Sequence, residues 1–136
     1  MGNILIVEDD SMNMELARDV LESSGYQVCG VDSAAEALQV LKEALPDLIL
    51  MDIQLPGLDG LELTRTLKQD SRKKDIIVVA MTAHAMKGDR ERILEAGCSG
   101  YIAKPIDTRE LCREVARHLP PPERPDNLPE DQCPSN

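Results

Sequence analysis

The sequence predicts an open, doubly wound α/β domain: a five-stranded parallel sheet flanked by five helices. Three observations carry that prediction. Short apolar runs alternate with amphipathic stretches across residues 3–118, five times over. The first, third and fourth runs (4–7, 48–51, 76–81) are nearly continuous in aliphatic residues, as parallel strands covered on both faces require. A chain of 136 residues also suits one domain that buries its own core, and five βα units fill it.

The elements follow in order. After the first run, Leu16, Ala17, Val20 and Leu21 repeat at helical spacing, and Gly25 stands where a helix-ending glycine belongs. The second run is 28–31. Ser33-Ala34-Ala35-Glu36 then forms a capping box that opens the second helix, whose apolar face is Ala34, Ala37, Leu38 and Leu41. Runs 48–51 and 76–81 follow, and Gly97 ends the fourth helix before the last run, 101–103. Asp107-Thr108-Arg109-Glu110 starts the final helix, with Leu111, Cys112, Val115, Ala116 and Leu119 as its stripe. From Leu119 the character changes. The last 18 residues hold six of the nine prolines, with four acids against one base and no periodic face. Residues 1–118 are therefore expected to form the domain, and 119–136 a flexible acidic tail.

Composition excludes several function classes. The chain has 25 acidic and 15 basic side chains, a net charge of −10 with His neutral. That excess argues against nucleic acid and against an anionic membrane surface, both of which call for basic patches. No apolar run approaches the length of a bilayer span. With no Trp, no Phe and only Tyr26 and Tyr101, the core must be aliphatic, and either tyrosine stands out as a candidate for a special role. Cysteines 29, 98, 112 and 133 form no C-x-x-C pair. The first three read as buried thiols and Cys133 as a tail thiol, which suits the reducing cytoplasm.

The polar residues directly after the runs carry the functional signal. Glu8, Asp9 and Asp10 follow the first, Asp52 the third, Thr82 ends the fourth, and Lys104-Pro105 follow the fifth. Ligands of open α/β sheets bind outside the carboxyl ends of the strands. Acids and hydroxyls there can simply cap helices, as Asp10 or Ser11 can, but four strands each deliver a different chemical type. Clustered carboxylates repel, and a hard divalent cation relieves the conflict. A lysine and a threonine beside that cation form a cradle for a phosphoryl group, and a central Asp52 can be its nucleophile.

The segments ILIVEDD, LILMDIQLPGLDG, VVAMTAHA and GYIAKP resemble the receiver domain of two-component response regulators, the CheY-like superfamily. The resemblance covers residues 3–118, and the wording is most similar to stand-alone DivK-type regulators and hybrid histidine kinase receivers. It implies a flavodoxin-like sheet order of 2-1-3-4-5. It makes Asp52 the phosphoacceptor, Glu8 and Asp9 the acidic pair holding Mg²⁺, and the main-chain carbonyl of Gln54 a further metal ligand. Thr82 and Tyr101 become the switch pair, Lys104 the lysine that pairs with the phosphoryl group, and Pro105 a proline after a cis peptide bond. Glu8 departs mildly, since many receivers have Asp there. Two readings of His84 stand: a rim residue that influences dephosphorylation together with Gln54, or an exposed loop histidine. His118 reads as a favourable charge at a helix C-terminus.

The implied function is a single-domain response regulator that takes a phosphoryl group from a phosphohistidine and turns its α4-β5-α5 face toward a protein target. The implied partners are a sensor histidine kinase or a histidine phosphotransfer protein, and a downstream protein. Enzymatic readings fit less well. Aspartate phosphatases place a second Asp two residues after the nucleophile, where Gln54 stands, and no P-loop or dinucleotide fingerprint follows the first strand. Slow self-dephosphorylation is the only turnover expected. The alternatives are a phosphorylation-independent binding module of the same fold and a receiver cut from a hybrid kinase.

Overall fold

The structure, a computed structural model, describes residues 3–53, 60–83 and 87–119. The elements alternate strictly: β1 (Asn3–Val7), α1 (Ser11–Ser23), β2 (Gln27–Val31), α2 (Ala34–Glu43), β3 (Leu48–Asp52), α3 (Gly60–Gln69), β4 (Ile77–Thr82), α4 (Lys87–Glu95), β5 (Gly100–Ala103) and α5 (Thr108–His118). The strands form one parallel sheet in the order β2-β1-β3-β4-β5. The expected fold class and strand order are both met.

Strand composition follows from position. β1, β3 and β4 lie inside the sheet and are buried almost throughout, whereas β2 and β5 are edges with alternating exposure. Successive side chains point to opposite faces, so the sheet feeds two core layers. Leu5, Val7, Ile49, Met51, Val78 and Ala80 meet Ala37 and Leu41 of α2, Leu61 and Leu67 of α3, and Ile93 of α4. Ile4, Ile6, Leu48, Leu50, Val79 and Met81 meet Ala17, Val20 and Leu21 of α1 and Leu111 and Val115 of α5. Tyr26 belongs to this second layer and is an ordinary core residue.

Helix ends account for the remaining local features. Asp10 caps α1, accepting from the Met12 and Asn13 amides at 2.9 and 3.2 Å. Gly25 and Gly97 adopt φ of 100° and 112° just past α1 and α4, a conformation that costs other residues energy. The capping box at α2 is displaced by one residue on its return half. The Glu36 amide donates to Ser33 Oγ, but the Glu36 carboxylate accepts from Asp32 rather than from Ser33.

Leu16 and Leu38 hold the expected helical spacing on α1 and α2 and are 37% and 38% exposed. Cys29 was expected to be buried. It is exposed, since it lies on the edge strand β2, while Cys98 and Cys112 are buried as expected. Burial pushes the Cys98 thiol up to about 11, which leaves it unreactive. Cys133 and the residues after 119 lie outside the described residues. Among the described residues, no helix is long and apolar enough to cross a membrane.

Candidate functional site

The carboxyl ends of β1, β3, β4 and β5 converge. Glu8 leaves β1 with its amide donating to the Val31 carbonyl at 3.0 Å, which fixes its backbone beside β2. Its side chain is buried, and Oε2 accepts from the Asp10 amide at 3.1 Å. Asp9 is exposed, while Asp52 ends β3 and is buried. Oxygen atoms of Glu8, Asp9 and Asp52 all lie within 4.8 Å of one another. Asp10 is committed to capping α1, and the carboxylates that cluster with Asp52 are those of Glu8 and Asp9.

Lys104 follows β5 and its amide donates to the Thr82 carbonyl at 2.8 Å. The peptide bond from Lys104 to Pro105 is cis, as the resemblance implied. The Lys104 ammonium stands 3.1 Å from Asp52 Oδ2 and 2.9 Å from Glu8 Oε1. The contact to Asp52 is a hydrogen bond; the one to Glu8 is a close ion pair without hydrogen-bond alignment. Thr82 ends β4, fully buried, one residue beyond the Asp52–Met81 register pair.

Burial and neighbouring charges set the electrostatics of the cluster. Burial raises the Glu8 carboxyl to about 7, with the Lys104 ammonium and the Asp10 amide opposing the rise and Asp52 adding to it. Burial pulls the Lys104 ammonium down, but the Glu8 and Asp52 carboxylates outweigh that effect and hold it above the ordinary lysine value. Two buried carboxylates thus share one ammonium, and burial leaves that of Glu8 reluctant to ionise. A donor set of clustered hard oxygens, partly open to solvent through Asp9, fits a divalent cation such as Mg²⁺.

Two residues that bear on the site were not legible as such in the sequence. Gly60 opens α3, and a Cβ there would meet the Asp52 carbonyl oxygen at 2.6 Å and Ile53 Cα at 2.7 Å. The glycine lets α3 start flush against the backbone that carries Asp52, with its amide donating to the Ile53 carbonyl at 3.3 Å. A glycine opening the third helical pattern was the available signal. The other is Arg90 of α4, which donates through Nε to the Tyr101 hydroxyl at 3.0 Å. Tyr101 itself is half-buried on β5 and packs against the first core layer. The expected ligand carbonyl of Gln54 and the expected rim residue His84 lie outside the described residues. His118 pairs with Glu114 at 2.8 Å.

A response regulator receiver domain family model matches residues 4–116. The polar-differentiation response regulator DivK of Brucella ovis is 49% identical over 117 residues, covering 86% of this chain and 95% of that protein. The receiver domain of a sensor histidine kinase from Pseudomonas aeruginosa, solved with a magnesium ion in its active-site cleft, is 38% identical with a TM-score of 0.78, covering 87% of this chain and 98% of that one. The receiver domain of Ssk1 from Saccharomyces cerevisiae, solved in complex with the histidine phosphotransfer protein Ypd1, is 28% identical with a TM-score of 0.79, covering 86% and 88%.

Proposed function

The chain belongs to the response regulator receiver domain family, and on that premise we propose that Asp52 is the phosphoryl acceptor of a two-component phosphorelay. The observation that carries this assignment is the Lys104 ammonium, 3.1 Å from Asp52 and 2.9 Å from Glu8, inside a cluster of carboxylates. A merely structural lysine would satisfy one buried acid. This one faces two acids, with a third close by and exposed.

The chemistry follows from the groups present. A carboxylate oxygen of Asp52 attacks the phosphorus of a phosphohistidine. The O–P bond forms as the P–N bond breaks, and the imidazole nitrogen keeps the electron pair and takes up a proton. Lys104 offsets charge on the phosphoryl oxygens, and the Thr82 hydroxyl donates to one of them. Glu8, Asp9 and Asp52 would hold Mg²⁺, which when bound neutralises oxygens of the incoming group. Water later hydrolyses the acyl phosphate, releasing inorganic phosphate and restoring the Asp52 carboxylate.

Phosphorylation adds up to about two negative charges at the end of β3. Thr82 then turns toward the phosphoryl oxygens, and the Tyr101 ring moves inward, changing the α4-β5-α5 face that a downstream protein reads. The donor is a sensor histidine kinase or histidine phosphotransfer protein, a reading supported by the Ypd1 complex of a similar receiver. Residues 1–118 act as the receiver and 119–136 as an appended tail, in the cytoplasm where such donors present phosphohistidine.

Incubation with acetyl phosphate and Mg²⁺, followed by intact mass, tests the assignment. The wild type is expected to gain one phosphoryl group and Asp52→Asn none. Equal gain in both proteins would sink it.

A further inference from the structure

Tyr101 is half-buried and lines the groove between α4 and α5, an outward position in which its hydroxyl meets a side chain of the neighbouring helix. Tyr101 is the register partner of Ala80 in β4, and Thr82 lies two residues on, on the same strand face. An inward turn of the ring therefore leads along that face toward Thr82. Opposing it, Arg90 grips the ring twice. Its Nε donates to the hydroxyl at 3.0 Å, and its guanidinium carbon lies 5.4 Å from the ring centroid. One side chain thus holds both the polar tip and the face, and an inward ring gives up both contacts.

We propose that Arg90 is a positioning residue that latches Tyr101 in its outward position, so that the switching equilibrium is set by this pair as well as by the phosphoryl group. The inference rests on the reading of Tyr101 as the switch residue. Its consequence reaches the protein surface. Arg90 and Tyr101 line a groove of about 710 Å³ between α4 and α5, with Arg113 and Glu114 among its other lining residues. Turning the ring inward releases the Arg90 guanidinium into that groove and changes its charge and shape together. Coupling is reciprocal: whatever favours the inward ring is opposed by the latch, and loss of the latch makes phosphorylation easier.

The test uses Arg90→Ala and Arg90→Lys in the full chain, with Arg90 exposed and outside the carboxylate cluster. Because the chain has two tyrosines and no Phe or Trp, ring resonances of Tyr101 and Tyr26 can be followed separately by NMR. The Tyr101 signal of the unphosphorylated Arg90→Ala protein is expected to move toward the position that wild type adopts with beryllium fluoride and Mg²⁺, with Tyr26 unmoved. Phosphorylation by acetyl phosphate should accelerate by about three- to tenfold, the ratio expected when an exposed guanidinium–ring pair exchanges its contacts for water. Arg90→Lys, which keeps a cation over the ring, should recover part of both effects. If wild-type Tyr101 moves on activation but Arg90→Ala leaves its resting signal and the rate unchanged, the latch is wrong and the switch reading stands. If wild-type Tyr101 does not move at all, the switch reading fails and the latch falls with it.

Discussion

The carboxyl end of the sheet and the outer side of β5 hold their key side chains by opposite means. At the sheet end, Glu8 and Asp52 are 2% exposed and bound to one lysine, so removing any partner strands a charge away from water. On β5, Tyr101 is half-buried and its partner Arg90 is exposed, so each contact can be exchanged for water at modest cost. The first arrangement suits chemistry, which needs fixed geometry. The second suits a signal, which needs two conformations close in free energy.

Substitutions can break or sharpen that contrast. Lys104→Met keeps an apolar stem but leaves two buried carboxylates without their cation. At about pH 8 and without metal it should cost on the order of 3 kcal/mol in urea denaturation, and Mg²⁺ should restore much of the loss. A cost below the noise would mean that the sheet end is no more rigidly paired than the β5 side.

Glu8 gives the same region a pH signature. Its folded carboxyl holds a proton up to about 7, whereas an unfolded one releases it near 4.5. Between those values the folded state binds more protons, so this contribution is full below about 4.5 and is lost as pH rises toward about 7. Metal-free protein should lose on the order of 2 kcal/mol across that window through this group. Glu8→Gln should flatten the profile; an unchanged slope in the variant would place the titration elsewhere.

Gly60→Ala probes the backbone behind Asp52. The neighbours of the added methyl are main-chain atoms at 2.6 and 2.7 Å, which cannot rotate away. Destabilisation of about 2 kcal/mol is expected, together with slower phosphorylation as the Asp52 backbone shifts. A neutral result would show that α3 can retreat freely. Tyr101→Leu should have the smallest effect on stability, under about 1 kcal/mol for an exchange at a half-exposed edge position. It should nonetheless abolish phosphorylation-dependent partner binding. A large stability loss would make Tyr101 a core residue like Tyr26.

Much of this was legible in the sequence because it depends on local pattern. Continuous aliphatic runs mark β1, β3 and β4 as interior strands, and the polar residues after them mark the edge where Glu8, Asp52, Thr82 and Lys104 meet. What was not legible depends on which elements are neighbours. Periodicity places Cys29 on a strand face, but only the sheet order makes that strand an edge and exposes the thiol. Leu16 and Leu38 obey helical spacing, yet spacing does not say how wide a stripe the sheet covers. Gly60 matters through a close approach to the backbone of another element, and Arg90 through a side chain eleven residues away in sequence. Neither contact leaves a periodic trace.

The central claim is that the phosphoryl group resides on Asp52 rather than on its acidic neighbours. Borohydride reduction of acetyl phosphate-treated protein, followed by peptide mapping, tests it most directly, because an acyl phosphate is reduced to an alcohol and a carboxylate is not. Reduction is expected at Asp52, and only when Mg²⁺ is present during phosphorylation. Reduction at Glu8 or Asp9, or none under any condition, would contradict the claim.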